Sequence, residues 1–152
     1  MKEQKINLFV ACRFLIGVFF IVSGAHKLLS PQGNFLYVVQ SYDILPSALE
    51  KLAAAMVPWV EYLTGIFIVL GLWLRPALQG LRLLLIVFIL IVSQAILRHL
   101  PLEECGCFGE LFSLPLRTVL FMDTALLLFA SLLVKNIEKI KSLSLDSHFE
   151  IK

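Results

Sequence analysis

Residues 78–97 read LQGLRLLLIVFILIVSQAIL and contain a single charged side chain, Arg82. The run is continuously apolar, which is typical of a helix embedded in lipid and not of an alternating barrel strand. At 1.5 Å of rise per residue, a helix of this length spans about 30 Å, the hydrocarbon thickness of a bilayer. The stretch therefore predicts a transmembrane helix.

Three more apolar stretches of similar length lie at 7–29, 52–74 and 116–134. Of the 152 residues, 59% are hydrophobic and 16% are charged, and the mean hydropathy is +0.90. Soluble domains are roughly 45–50% apolar and about 25% charged, so an ordinary soluble enzyme, a disordered chain and a secreted disulfide scaffold are excluded. We predict an all-α fold in one integral membrane domain, 1–152, with four transmembrane helices forming a bundle and a polar cytoplasmic tail at 135–152.

The connections between the spans have patterns of their own. Phe35, Leu36, Val39 and Tyr42 recur at helical spacing after the first span. They predict a short amphipathic helix on the membrane surface between helices 1 and 2. Residues 75–77, Arg-Pro-Ala, are predicted to form the tight turn between the second and third spans.

Several residues within or beside the spans are interpreted structurally. Aromatic residues expected at the membrane interface are Trp59, Trp73, Tyr37 and Tyr42. Glycines expected where helices pack closely are Gly17, Gly24, Gly65 and Gly71. Arg13 and Arg82 are interpreted as topology anchors whose side chains extend to the cytoplasmic surface.

Charge placement predicts the orientation, since a net charge of +2 is too small for a nucleic-acid binder. Nine of the 13 lysines and arginines fall on the side that holds both termini and the 75–77 turn. The positive-inside rule then predicts that both termini lie in the cytoplasm and that the loops 30–51 and 98–115 lie outside. An alternative is a cleavable signal peptide that ends near Ala25 and leaves three spans.

Two carboxylates lie inside the predicted spans. Glu61 is roughly 13 Å and Asp123 roughly 10 Å from the outer ends of their helices. Such groups cost about 2.5–3.5 kcal/mol each at the bilayer centre, so each needs a partner or a use. One interpretation is proton handling; the alternative is that each carboxylate pairs with Lys27, Arg98 or Arg117 and fixes helix register. Further polar side chains in the same outer half are Ser23, His26, Ser93, Gln94, Arg98 and Thr124.

Together these side chains predict a polar cavity that opens outward, beneath a loop that contains Cys105 and Cys107. The two cysteines are separated by one glycine. A disulfide between them closes a small, strained ring, which favours thiol–disulfide exchange over a structural role. Arg98 and His99 at the start of the loop favour a thiolate, whereas the acidic residues 103–104 oppose it.

Other interpretations of the cysteine pair stay open. A metal site built from Cys105, Cys107 and His99 falls short of a closed tetrahedral shell. The thiols could also be structural or inert, or each could pair elsewhere in the chain. Cys12 is a poor disulfide partner because it lies in the inner half of the first span.

The order of motifs resembles the MauE/DoxX family of small four-helix membrane proteins, most closely its MauE branch. The residues that carry the resemblance, over most of 10–134, are Arg13, Gly24, Lys27, Pro31, Phe35, Tyr42, Ile44-Leu45-Pro46, Pro58, Glu61, Gly65, Gly71, the CGCFG cluster at 105–109 and Asp123. The family pattern also favours an uncleaved first helix, since cleavage after Ala25 would separate Gly24 from Lys27.

The resemblance implies a redox-associated four-span bundle in the bacterial inner membrane. MauE-like proteins are tied to maturation of the disulfide-rich small subunit of methylamine dehydrogenase. DoxX-like proteins are tied to thiosulfate:quinone oxidoreduction or to membrane oxidoreductase complexes. Four-helix, quinone-linked disulfide generators are an analogy at the level of fold alone.

The leading hypothesis is a membrane thiol–disulfide redox component. Cys105 and Cys107 would exchange with an exported thioredoxin-like or disulfide-containing protein, and Glu61 and Asp123 are the candidate proton carriers. The candidate cofactor is a quinone, and no metal is assigned. Residues expected to contact the substrate or partner are His26, Lys27, Arg98, His99 and Phe108. The alternatives are a non-catalytic assembly or transport subunit and a metal-handling protein.

Overall fold

The computed structural model describes residues 2–100 and 115–137, which fold into five helices with no strand among them. Those helices are α1 (Lys2–Leu29), α2 (Gln32–Ser41), α3 (Ser47–Leu70), α4 (Leu74–Leu97) and α5 (Leu116–Lys135). Four segments are long and apolar enough to cross a membrane: Leu8–Leu29, Ser47–Leu70, Leu74–Leu97 and Leu116–Lys135. The prediction of an all-α protein with four spanning helices and a short helix after the first is confirmed.

α1 packs most extensively against α3, and small residues form their contact. A Cβ atom on Gly24 would lie 2.7 Å from the Tyr62 backbone nitrogen, and one on Gly65 would lie 2.7 Å from the Ile21 nitrogen. Gly17 faces the same contact. Because backbone meets backbone here, the dispersion contacts that drive helix association in lipid are at their closest. The predicted packing role of these three glycines is confirmed.

Gly71 also has a role in the chain turn that ends α3. Its φ of 68° is left-handed, and its N–H donates to the Phe67 carbonyl, so it ends α3. Glycine is favoured there because it lacks a Cβ atom. The turn therefore comprises 71–73 and not 75–77 as predicted. Arg75 and Pro76 lie in the first turn of α4, where a missing proline N–H removes no helical hydrogen bond.

α4 and α5 run antiparallel, as two apolar clusters demonstrate. One cluster includes Leu74, Leu78 and Leu81 of α4 with Ala130 and Leu133 of α5. The other includes Val92 and Ala95 of α4 with Leu116 and Val119 of α5, together with Tyr42. The second cluster marks one end of the bundle, which we call the α2 end. At this end α1 and α4 terminate, α3 and α5 begin, and α2 packs against α3.

The predicted surface position of Arg13 is wrong. The residue is fully buried, and its guanidinium carbon lies 4.9 Å from the centroid of the Phe14 ring. Its side chain stays within the protein instead of extending to the membrane surface, and the neighbouring Ile16 belongs to the apolar cluster that includes Leu74. Arg13 therefore contributes to packing away from the α2 end.

Candidate functional site

A buried ion pair joins α1 and α3 at the α2 end. The Lys27 ammonium donates to Oε2 of Glu61 at 2.6 Å and to Oγ of Ser23 at 3.1 Å. The Ser23 hydroxyl donates to the same Glu61 oxygen at 3.4 Å. The charged side chains are 1% and 2% exposed. Ser23 and Lys27 share one helix face because they are four residues apart, so one face of α1 neutralises the Glu61 carboxylate.

Asp123 brings a second carboxylate to this pair from α5. Asp123 is 6% exposed, and its Oδ2 atom is buried with no hydrogen-bond partner among the described residues. It lies within electrostatic range of both Lys27 and Glu61. We call Lys27, Glu61 and Asp123 the buried charge cluster. Three spanning helices therefore converge on one ammonium and two carboxylates.

Aromatic rings from the other two helices complete the surroundings of Lys27. The ammonium nitrogen lies 5.4 Å from the ring centroid of Phe35 on α2 and 5.9 Å from that of Phe88 on α4. Both distances fall in the range of cation–π attraction. The positive charge of Lys27 is thus shared between one carboxylate and two ring faces, and every described helix supplies a neighbour to the buried charge cluster.

Tyr42 belongs to this region, and its interpretation as an interfacial aromatic residue is wrong. It is 6% exposed and packs in the apolar cluster with Val119. Burial raises the pKa of the Tyr42 phenol to about 12, and the negative charge of Asp123 acts in the same direction. The signal was present in the sequence: Phe35 and Tyr42 are seven residues apart and lie on one helix face.

Two cavities adjoin α2. One, of about 240 Å³, lies among α2, α3 and α4 and has an apolar lining that includes Phe35, Tyr42 and Phe88. The other, of about 380 Å³, lies among α1, α2 and α3 and includes Lys27 and Lys51. Phe35 borders both cavities. The apolar cavity and the more polar cavity therefore share Phe35, and Lys27 of the buried charge cluster lines the more polar one.

The remaining described candidates lie around this site. Arg98 follows the last residue of α4 and donates to the Asp43 carbonyl at 3.1 Å and to the Asp43 carboxylate at 3.3 Å, so it is not a partner of Glu61 or Asp123. His99 is exposed, with a φ of 49°. His26 is half-buried in the last turn of α1.

The cysteine motif falls on another part of the chain. Cys105, Cys107 and Phe108 lie outside the described residues. Cys12 packs against the apolar cluster that includes Leu78 and Leu133, away from the α2 end. Within 2–100 and 115–137, no group of three or more His, Cys, Asp or Glu residues could hold a metal ion.

The fold and the site define a multi-pass membrane protein with a charge cluster buried at one end of a four-span bundle. The family described as "Methylamine utilisation protein MauE" matches residues 5–135. The chain therefore belongs to the MauE family, as its motifs predicted.

A curated relative supports the same assignment. The "Methylamine utilization protein MauE" of Paracoccus denitrificans is 26% identical over 117 residues, which cover 77% of this chain. The match spans 62% of that relative's length. No solved structure matches the chain significantly.

Proposed function

We propose that the protein is a membrane thiol–disulfide redox component in which Cys105 and Cys107 exchange with an exported partner protein. The observation that carries the proposal is the position of the buried charge cluster at the α2 end. The chain leaves α4 at Leu97 and enters α5 at Leu116, both at the α2 end. The segment with the two cysteines thus departs from and returns to the end of the bundle that holds Glu61 and Asp123.

The exchange step transfers two electrons and two protons from the partner protein to the Cys105–Cys107 pair. A thiolate of the reduced partner attacks the Cys105–Cys107 disulfide and forms a mixed disulfide, and the partner's second thiol then displaces it. The partner gains a disulfide, and Cys105 and Cys107 become a dithiol that has received two electrons and two protons. Membership of the MauE family supports a partner from methylamine utilisation, such as the disulfide-rich small subunit of methylamine dehydrogenase.

A quinone is the proposed electron acceptor, and the apolar cavity supports this choice. A quinone accepts two electrons and two protons when it reacts with a dithiol. The cavity of about 240 Å³ is lined by Phe35, Tyr42 and Phe88, and both phenylalanine rings also contact the Lys27 ammonium. A mostly apolar cavity with aromatic side chains in its lining is typical of sites for small organic molecules. Phe35, Tyr42 and Phe88 are therefore the residues that would position the ring.

The proposed setting is the bacterial inner membrane, with both termini in the cytoplasm and the α2 end outside. The distribution of lysine and arginine supports this orientation. It places the exchanging thiols in the compartment where disulfides persist. An exported thioredoxin-like or disulfide-containing protein is the partner that this orientation makes accessible.

The proposal is tested by trapping the mixed disulfide. In a Cys107→Ser protein, the Cys105 thiolate attacks the disulfide of the oxidised partner, which is the reverse of the exchange step. No Cys107 thiol is present to resolve the mixed disulfide, so we expect a covalent adduct that reducing agent dissolves. The adduct is isolated from intact membranes and its peptides are identified by mass spectrometry. Cys12→Ser in the same background is the control and should leave the adduct unchanged. Absence of an adduct, together with unchanged activity in the Cys105→Ser/Cys107→Ser protein, contradicts the proposal.

A second candidate function is a non-catalytic assembly or transport subunit. The 2.6 Å ion pair between Lys27 and Glu61 favours it, because buried pairs often fix helix register alone. The Cys105→Ser/Cys107→Ser protein separates the two functions, because it leaves the ion pair intact. A non-catalytic subunit keeps its activity after this change, whereas a redox component loses it.

A further inference from the structure

The hydrogen bonds of the buried charge cluster are unevenly shared. Lys27 directs its ammonium to Glu61 at 2.6 Å and to Ser23 at 3.1 Å, and Ser23 also donates to Glu61. Glu61 thus receives two donors at one oxygen. No described residue donates to Oδ2 of Asp123, although this atom is fully buried.

The charges around Asp123 are also unbalanced. Among the described residues, the titratable groups that act on it or feel its charge are Lys27 from α1, Glu61 from α3 and Tyr42 from the end of α2. α4 supplies no cation to it, because Arg98 is bound to Asp43, while Arg75 and Arg82 lie in the half of α4 that begins at Leu74. Within 2–100 and 115–137, one ammonium therefore faces two carboxylates. Since Lys27 is committed to Glu61, an ionised Asp123 would be an uncompensated charge in a medium of low dielectric constant.

We propose that Asp123 is the proton-binding group of the buried charge cluster and that Glu61 is the permanent counter-ion of Lys27. A protonated Asp123 carboxyl group removes the excess negative charge and converts an unsatisfied acceptor into a hydroxyl donor. The carboxyl group of Asp123 is neutral while it holds the proton. When the group ionises, the proton returns to water or to a reduced acceptor. This inference rests on the proposed function in assigning its proton carrier, but the binding of the proton needs no thiol.

A hydrophobic carbodiimide tests the assignment, because it reacts with protonated carboxyl groups inside membranes and leaves a stable N-acylurea on the modified residue. The full chain in membrane vesicles is treated with dicyclohexylcarbodiimide at a series of pH values, and the modified residue is identified by peptide mass spectrometry. We expect labelling at Asp123 to exceed labelling at Glu61 at least tenfold and to fall as the pH rises. Modification at Glu61 with none at Asp123, or no modification at Asp123 at any pH, overturns the inference.

Two variants sharpen the result. Asp123→Asn is nearly isosteric and should abolish labelling at position 123 without creating labelling at Glu61. Lys27→Met removes the counter-ion and should make Glu61 reactive; Glu61 that stays unreactive in this variant contradicts its role as the partner of Lys27. If Asp123→Asn does not accumulate, the wild-type pattern and Lys27→Met still decide between the two carboxylates.

A third variant separates this inference from the proposed function. In the Cys105→Ser/Cys107→Ser protein, labelling at Asp123 should equal that of the wild type. Equal labelling together with failed trapping would contradict the proposed thiol chemistry and support Asp123 as the proton-binding group. Loss of Asp123 labelling together with successful trapping would contradict the proton assignment and support the thiol chemistry.

Discussion

At the scale of single residues, Lys27 decides the electrostatics of the bundle. Its ammonium contacts Glu61, Ser23 and the rings of Phe35 and Phe88, which come from α1, α2, α3 and α4. A lysine so deeply buried is stable only when paired. The sequence predicted Lys27 as a residue that contacts the partner. The structure places its ammonium 5.4 Å from the ring centroid of Phe35, in a buried ion pair with Glu61.

Tyr42 gives a prediction about pH at the same scale. Burial, assisted by the charge of Asp123, raises the pKa of its phenol from 10.0 to about 12. The unfolded chain ionises first, so the stability that this neutral phenol contributes is present below pH 10.0 and is lost as the pH rises toward about 12. We expect the phenolate absorbance of Tyr42 to develop late in the titration.

The matched comparison is between Tyr42→Phe and Tyr37→Phe, since Tyr37 is exposed. Only Tyr42→Phe should remove the late step of the titration. Asp123→Asn should move that step to lower pH, because the negative charge of Asp123 is one of the two causes of the raised pKa of Tyr42. A late step that survives in Tyr42→Phe would show that another tyrosine is the buried one.

At the scale of helices, the contact of α1 with α3 holds the buried charge cluster together. Gly24 and Gly65 let the two backbones touch, and this places Lys27 opposite Glu61. The glycine spacing predicted the close approach, but it did not predict which polar side chains would meet beside it. That outcome depends on the rotation of each helix about its axis, which packing against the other helices fixes.

Gly24→Ala tests this contact. The new Cβ atom would lie 2.7 Å from the Tyr62 nitrogen and 2.9 Å from the Pro58 carbonyl oxygen, and neither backbone atom can move alone. We expect a loss of about 1–3 kcal/mol in the free energy of unfolding, as for other overpacked sites. Detergent-induced unfolding followed by circular dichroism measures it.

Gly80→Ala in α4 is the matched control, because nothing lies within 4 Å of its Cβ position. Alanine there should be neutral or should stabilise the protein by about 0.5–1 kcal/mol, since glycine weakens a helix interior. Equal effects of the two substitutions would mean that helix propensity, and not the contact of α1 with α3, governs the result.

At the scale of the whole molecule, the antiparallel order of the spans separates two chemically different ends. The α2 end holds the buried charge cluster and the two cavities beside α2, and the other end holds Arg13 and the large apolar cluster that includes Leu78. Successive spans run in opposite directions. The side of the membrane on which one connection lies therefore determines the side of every other connection. α4 ends and α5 begins at the α2 end.

Single cysteines at Ser47 and Trp73 test the proposed orientation in a background that lacks the three native cysteines. Ser47 begins α3 at the α2 end, and Trp73 lies in the turn at the opposite end; both are exposed. An impermeant maleimide added to spheroplasts should label Ser47→Cys at once and Trp73→Cys only after the membrane is permeabilised. The reverse pattern would place the α2 end in the cytoplasm.

The sequence by itself determined the four spanning helices, the short α2 and the family, because continuous apolar runs of bilayer length and ordered motifs are local properties of the chain. It also identified Glu61 and Asp123 as unusual, since a carboxylate within an apolar run is costly wherever the helix lies. Only the tertiary structure decided that Lys27 pairs with Glu61, that Arg98 binds Asp43 instead, and that Tyr42 is buried. The physical reason is that a hydrophobic run specifies a helix and its depth in the membrane. Its rotation and neighbours follow from side-chain packing between segments that are distant in the chain.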